Sequence, residues 1–229
     1  MILIGFKLKL MAENIKVAKE LRSEFLTWDK VDKILISEFE SHSRNDDIHI
    51  IAYKVELIDK LYNCNLRMDK GLVAKFLKGL NIDEIFEKKT NLISLVKQIA
   101  NQKLPNYKKR IGIVFASKYC HFSSPHYFPI YDRYAVKALS YLTKKPQSSY
   151  QADYTSYKEG IDQLKDSLGL DSYKDIDIYL WLFGQWLLYI ERKEKAFKEK
   201  KLMNGFSREI IKMFEEKEDL FAKLNPIKE

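Results

Sequence analysis

Residues 175–190 read DIDIYLWLFGQWLLYI, and this stretch is the clearest indicator of the fold class. On a helix, apolar side chains cover every side between Ile176 and Ile190, with Asp177 and Gln185 as the interruptions. A helix that is apolar all round is usually buried. We therefore predict one long, central helix from Lys174 to about Lys200. Its apolar run is too short and too polar to span a bilayer.

The composition of the whole chain agrees with a helical fold. The 229 residues can bury one substantial core or two small ones, and 46% of them are hydrophobic. Only 8 glycines and 5 prolines occur, and folds built from many strands and tight turns need more of both. We predict an all-α fold of about ten helices, in one compact domain that can have two lobes. Asp69 is predicted to cap a helix that continues through Leu77, and a single charged helix is predicted for residues 207–224. The sequence has no internal repeats.

The first ten residues, MILIGFKLKL, differ from the rest because apolar residues alternate with lysines near their end. This pattern indicates a short strand in residues 1–11, or an extension that precedes a natural start at Met11. A signal peptide and a membrane span are both excluded by the short, lysine-interrupted apolar run. We therefore expect one helical domain to cover residues 12–229.

The net charge of +8 indicates a preference for polyanions, which basic proteins bind with release of counterions. The alternative is that the basic composition has no functional meaning. The cysteines, Cys64 and Cys120, are too few for a disulfide framework, so we expect the reducing cytoplasm. Cys120 and His121 are adjacent and point apart on a helix. We expect no metal, and we expect no cofactor because no glycine-rich phosphate loop is present.

Residues 111–139, IGIVFASKYCHFSSPHYFPIYDRYAVKAL, contain the residues best suited to chemistry. We predict an apolar helix from Tyr107 to Phe122, in which Lys118 falls in the middle of the face that Val114 and Phe115 share. A lysine there extends its ammonium to solvent, forms an ion pair that braces the fold, or loses its proton through burial. In the last case it is an activated amine nucleophile.

Asp132 stands where the next predicted helix begins, after an apolar segment that contains a proline. One interpretation is a helix N-cap, a common role for aspartate. The other is a carboxylate that stabilises a developing cation or activates a nucleophile. The two interpretations are compatible.

Basic residues cluster just before Lys118, at Lys103, Lys108, Lys109 and Arg110. Such a run is usually a solvated helix face. It can also hold a phosphate backbone, because lysine and arginine make most of the backbone contacts in protein–DNA complexes.

The apolar–proline–aspartate pattern that opens a helix resembles the core of the helix-hairpin-helix DNA glycosylase superfamily. Residues 117–139 are similar in particular to a group of small bacterial 8-oxoguanine-DNA-glycosylase-like proteins. Leu57–Leu66 and Asp175–Gly184 are similar to the same group. The resemblance therefore extends from about residue 50 to residue 185.

The resemblance implies a two-lobed helical protein, which we expect to be monomeric, that flips a damaged base out of duplex DNA and cuts its glycosidic bond. Asp132 would stabilise the cationic sugar or activate the nucleophile. A lysine that forms a Schiff base would be Lys118 by its place on the apolar face, or Lys109 by alignment through Leu104-Pro105. The other expected site residues would shape the base pocket (His121, Tyr131 and Trp181) or contact phosphate (Lys108, Lys109, Arg110 and Arg133). Trp181 can equally be a core residue.

The sequence departs from that family at the hairpin. Residues 104–112 read LPNYKKRIG, without the Gly-x-Gly turn that presents backbone N–H groups to phosphate. Tyr131, directly before Asp132, is an additional residue relative to the commonest form. Two alternatives therefore stand beside the enzyme: a non-catalytic nucleic-acid-binding protein, and a helical scaffold or interaction protein.

Overall fold

A computed structural model describes residues 2–62, 64, 66, 68–151, 153–199 and 208–226. The described chain is all-helical, as predicted, with 13 helices rather than about ten. Its β-pairing is limited to one isolated bridge between Lys103 and Arg110. None of its helices is long and apolar enough to cross a membrane.

The helices are numbered in chain order. They are α1 (Ile2–Glu24), α2 (Leu26–Ser41), α3 (Ile48–Tyr62), α4 (Lys70–Gly79), α5 (Ile82–Lys88), α6 (Leu92–Asn101), α7 (Ile113–Ser123), α8 (Arg133–Thr143), α9 (Ser148–Gln151), α10 (Tyr154–Ser167), α11 (Tyr173–Glu199), α12 (Arg208–Glu216) and α13 (Glu218–Ala222).

The chain divides into two units. The first unit contains α1, α8, α9, α11, α12, α13 and most of α10, and is built from Met1–Phe25, Asp132–Gln151 and Glu159–Glu229. The second unit contains α2 to α7 and is built from Leu26–Tyr131 and Ala152–Lys158.

In the first unit, α11 is the long helix predicted from residues 175–190, and it packs against α1 and α8. The predicted last residue of that helix, Lys200, lies outside the described residues. The contact between α8 and α11 is close at Gly184, where a Cβ atom would lie 1.9 Å from the Tyr134 carbonyl oxygen. Only glycine permits that approach, because any side chain would overlap the backbone of α8.

The strand considered for residues 1–11 is absent, since α1 begins at Ile2 and continues without a break. The buried residues Met11, Ile15, Ala18 and Leu21 follow one another at steps of three and four. That spacing places them on one helix face. Extending a helix already anchored by such a face costs little, so the preceding residues join α1 despite their alternating pattern.

In the second unit, α7 is the most deeply buried helix, with every residue from Phe115 to Phe122 buried. It packs against α2, α3 and α6. The helix begins after Gly112, whose φ of 95° lies in the region that favours glycine. It ends where the Ser124 N–H donates to the carbonyl oxygens of Cys120 and His121.

The prediction that this helix starts at Tyr107 was wrong, because residues 104–112 form a reverse turn. Pro105 is followed by Asn106 in a left-handed conformation, and the Tyr107 N–H donates to the Leu104 carbonyl at 3.2 Å. This is the pattern of a type II turn. The N–H of Ile111 then donates to the Gln102 carbonyl rather than entering a helix. Apolar periodicity alone could not distinguish this returning segment from a helical turn.

Other boundaries follow the sequence more closely. Asp69 caps α4 by accepting from the Leu72 N–H at 2.8 Å, as predicted. The helix α5 was not predicted. The single last helix expected for residues 207–224 is two helices, separated at Lys217, whose backbone leaves the helical region. Ser207, the expected first residue, lies outside the described residues.

Candidate functional site

Lys118 is buried inside the second unit. The side chain is 4% exposed, and its Nζ atom lies 4.3 Å from the centroid of the Tyr62 ring. Within the described chain, no carboxylate lies within 4.0 Å of this Nζ. The ion pair considered from the sequence is therefore not the arrangement found. An aromatic face takes its place, and such a face attracts a cation through its quadrupole.

Three helices hold this lysine and its ring. Tyr62 is the last residue of α3, and its hydroxyl donates a short hydrogen bond to Asp32 on α2. The Tyr62 ring packs at 5.8 Å from Phe122, one turn beyond Lys118 on α7. The pairing of Lys118 with Tyr62 thus depends on the packing of α2, α3 and α7.

A second buried lysine, Lys54 on α3, was missed by the sequence analysis. It is fully buried, its Nζ donates to Asn45 Oδ1 and to the Arg44 carbonyl at 3.1 Å each, and it lies 5.0 Å from the Phe39 ring centroid. The sequence pattern that placed Lys118 on an apolar helix face also applies to Lys54, because Lys54 lies between Ile51 and Ile58 on the apolar stripe of α3.

Lys54 belongs to a hydrogen-bonded network that includes Asn45, Asp83 and Tyr119. Asn45 donates its side-chain amide to Asp83 Oδ1 at 2.6 Å, and its Oδ1 accepts from Tyr119 at 2.8 Å. Burial lowers the pKa of the Lys54 ammonium to about 8, and the carboxylates of Asp83 and Asp46 oppose that shift. Lys54 is thus stabilised by hydrogen bonds to polar partners, whereas the described partner of Lys118 is an aromatic ring.

His121 and Tyr131, predicted to shape a base pocket, are buried and engaged with backbone or neighbouring side chains. The carbonyl oxygen of Phe128 can only accept, so His121 Nδ1 carries the proton in their 2.7 Å hydrogen bond. The Tyr131 N–H donates to Ser117 Oγ at 3.0 Å, and its ring lies 5.0 Å from that of Tyr157. Both residues tie α7 to the segment that follows it.

Asp132 lies in the first unit, as the N-cap of α8. Its Oδ1 accepts from the Tyr134 N–H at 2.7 Å, and the side chain is partly exposed. This confirms the N-cap interpretation, and it orients one carboxylate oxygen toward the helix start. Arg133, the next residue, is exposed, and its guanidinium stacks 4.7 Å from the Tyr134 ring centroid.

Trp181 also lies in the first unit, half-buried on α11. Its ring makes an edge contact with Phe25 at 5.9 Å, and the Arg22 guanidinium lies 5.1 Å from its centroid. Arg22 lies in the last turn of α1 and Phe25 directly follows that helix.

Three of the predicted phosphate-binding residues, Lys108, Lys109 and Arg110, lie on the turn between α6 and α7, and not at the start of a helix. An open cavity of about 240 Å³ is lined by the three basic side chains and by apolar and aromatic residues: Leu66, Met68, Tyr107, Lys108, Lys109, Arg110 and Ile111. The three basic residues are exposed. Arg110 is oriented by a 2.9 Å hydrogen bond to Asn101, and the Tyr107 hydroxyl accepts from the Asp69 N–H.

The structure thus groups the predicted site residues by unit. The second unit holds the buried Lys118, His121 and Tyr131, together with the exposed basic turn. The first unit holds Asp132, Arg133 and Trp181. Within the described chain, no group of three or more histidine, cysteine or carboxylate side chains is arranged to hold a metal ion.

Comparison with known proteins gives the family of the chain. A family model described as HI_0787_N: N-terminal domain matches residues 10–127, which include both buried lysines. A curated Haemophilus influenzae protein, described as an uncharacterized protein, is 32% identical over 145 residues, which are 61% of this chain and 70% of that protein. No solved structure matches the chain. The chain belongs to the HI_0787_N family.

Proposed function

We propose that this chain binds duplex DNA and excises a damaged base by cutting its glycosidic bond. In this proposal Asp132 stabilises the cationic sugar, Lys118 is the amine that attacks it, and the basic turn at residues 108–110 holds phosphate. The observation that carries the proposal is the burial of the Lys118 ammonium beside a ring, with no carboxylate partner in the described chain.

That observation favours chemistry over a purely structural role. Burying a charged lysine is costly, and proteins normally offset the cost with a carboxylate or with several hydrogen bonds. Lys54, in the same unit, is stabilised by hydrogen bonds of this kind. A lysine held over an aromatic face is not committed to an ion pair, and its nitrogen becomes a nucleophile once it has lost its proton and left the ring. Amines of this kind form Schiff bases with sugar aldehydes.

The N-cap position of Asp132 supports its proposed role. Its carboxylate is held in one orientation by the Tyr134 N–H, while the side chain stays partly exposed. A preorganised carboxylate stabilises positive charge that develops on a sugar ring without having to reorient during the reaction.

The turn between α6 and α7 supports DNA binding. Lys108, Lys109 and Arg110 are exposed and border one cavity, so their charges act on the same ligand. Each phosphate contact that a cationic side chain makes contributes to affinity and increases its dependence on salt.

The same turn favours a second candidate, a non-catalytic nucleic-acid-binding protein. Exposed cations around an open cavity can bind a phosphate backbone without any chemistry. This candidate requires neither Asp132 nor Lys118, and the following experiment separates the two.

The test is a base-excision assay on duplexes that each carry one lesion, beginning with 8-oxoguanine, followed by alkali and detection of strand breaks. Asp132→Asn keeps a side chain that caps helices, yet we expect it to lower cleavage by roughly a hundredfold. Asp69→Asn, which alters the equivalent cap of α4, is the matched control and should cleave normally. Lys118→Met should lose the breaks that form without alkali, whereas Lys54→Met should keep them.

DNA binding is measured separately, by titration at several salt concentrations. Replacing Lys108, Lys109 and Arg110 with glutamine should weaken binding and reduce the slope of log affinity against log salt by about one for each phosphate-binding side chain that is removed. The control replaces two exposed lysines of α4, Lys75 and Lys78. Salt-dependent binding without cleavage of any lesion would support the non-catalytic candidate, and an unaltered salt slope would refute the role of the turn.

A further inference from the structure

The ring of Tyr62 is the nearest described partner of the Lys118 ammonium, at 4.3 Å from Nζ to the ring centroid. The ammonium is buried there, so water screens the attraction poorly. An ion–ring attraction strengthens when the pair is desolvated. Tyr62 is therefore well placed to determine where the Lys118 nitrogen lies.

The phenol hydroxyl of Tyr62 has a defined partner of its own. It donates to the Asp32 carboxylate on α2. Donation to an anion moves electron density toward the phenol oxygen and into the ring, which strengthens the ring's attraction for a cation on its face. The hydrogen bond also anchors the phenol oxygen and so helps to hold the ring in place. Asp32 thus adds a secondary contribution to a contact that the ring face itself makes with Lys118.

We propose that Tyr62 is a positioning residue for Lys118, and that its ring face holds the lysine side chain in place until a bound substrate displaces that side chain from the ring. The inference rests on the amine role that the proposed function gives to Lys118. A lysine held in this way reacts slowly with free aldehydes, because its nitrogen is buried against the ring and does not reach a carbonyl carbon.

Formation of a Schiff base on Lys118 requires no reactant other than the aldehyde. The ammonium first releases a proton to solvent, and the neutral nitrogen then adds to the aldehyde carbon. Loss of one water molecule leaves the imine. In the experiment below, cyanoborohydride supplies the hydride that reduces the imine to a stable secondary amine.

The experiment measures how fast glyceraldehyde with cyanoborohydride labels Lys118 in the full-length protein near neutral pH, with each lysine quantified by peptide mass spectrometry. In Tyr62→Leu the ring face is absent, and we expect labelling of Lys118 to rise roughly tenfold, as expected for a desolvated ion–ring contact. In Tyr62→Phe the ring face remains, and the rate should stay within about twofold of wild type.

Two controls separate this effect from loosened packing. Phe122→Leu removes a neighbouring ring, 5.8 Å from Tyr62, and opens space without removing the face under Lys118. Its Lys118 labelling should rise clearly less than that of Tyr62→Leu. The buried Lys54 monitors the fold in every variant, and its labelling should stay low in Tyr62→Leu.

Several outcomes would overturn the inference. These are an unchanged Lys118 rate in Tyr62→Leu, an equal rise in Tyr62→Phe or in Phe122→Leu, or a parallel rise at Lys54. The assay contains no DNA, so its result stands whether or not base excision is found. Failure of the proposed function is instead registered by absent cleavage in the lesion assay.

Discussion

Gly184→Ala tests the packing that positions Asp132. Gly184 lies in the middle of α11, and its missing Cβ would lie 1.9 Å from the carbonyl oxygen and 2.5 Å from the carbonyl carbon of Tyr134. Both atoms belong to the backbone of α8, so no flexible side chain can move aside. Tyr134 also donates its N–H to the Asp132 carboxylate. A displaced Tyr134 would therefore disturb the cap as well.

The expected cost follows from this geometry. To bring the added Cβ from 1.9 Å to ordinary van der Waals contact, the two helices must move apart by about 1.5 Å. A gap of roughly 0.5–1 Å already forfeits a quarter to a half of each contact energy along the interface. Overpacking of this kind costs about 1–3 kcal/mol or more. The higher helix propensity of alanine offsets up to about 1 kcal/mol of this loss of stability. With the overpacking cost at the upper end of its range, we expect a net loss of about 2 kcal/mol in the free energy of unfolding.

The assay is urea denaturation followed by far-UV circular dichroism. The matched control is Gly79→Ala at the end of α4, where an added Cβ would meet no atom within 4 Å and φ is not positive. That variant should be neutral or more stable by up to about 1 kcal/mol. If Gly184→Ala were as stable as Gly79→Ala, the close contact of α8 with α11 would be refuted.

Three further predictions concern the buried network and the cap of α8. Because burial lowers the pKa of Lys54 from an ordinary 10.5 to about 8, the unfolded chain binds more protons between these values and the folded state gains stability as pH rises. Relative to Lys54→Met, wild type should gain about 2 kcal/mol in the free energy of unfolding between about pH 7 and pH 9.5. The prediction would be contradicted if urea denaturation gave the same difference in free energy of unfolding between wild type and Lys54→Met at every pH. Asn45→Ala removes the acceptor that Lys54 and Tyr119 share and leaves Lys54 with the Arg44 carbonyl. It should lower the free energy of unfolding by about 3 kcal/mol. A decrease under roughly 1 kcal/mol would mean that the network is open to water. In thermal denaturation, Asp132→Ala should lower the free energy of unfolding by about 1 kcal/mol, and Asp132→Asn should lower it much less because asparagine also caps helices. An equal loss in the two variants would argue against capping through the Tyr134 N–H.

The all-helical fold and several helix boundaries could be predicted because they depend on local properties of the chain. The run from Ile176 to Ile190 has no polar face, so a buried helix is the stable way to satisfy its backbone and remove its side chains from water. Asp69 and Asp132 were recognised as caps because a short carboxylate satisfies N–H groups only two or three residues away. The place of Lys118 on an apolar face likewise followed from helical periodicity.

The turn before α7 could not be predicted in this way. Residues 107–112 are as apolar and basic as a helix start. Their direction depends on the left-handed Asn106 and on hydrogen bonds from Ile111 and Gly112 back to the end of α6. The sequence therefore predicted the basic cluster but placed it on the wrong kind of element.

The sequence by itself determined the helical fold class, the caps at Asp69 and Asp132, and the presence of a lysine on the apolar face of α7. Only the tertiary structure decided what those groups touch. The Tyr62 ring under Lys118, the Asp32 carboxylate behind that ring and the network around Lys54 come from separate helices and loops. Periodicity is a property of one helix, whereas these contacts depend on which helices pack together, and that choice minimises the free energy of the whole chain.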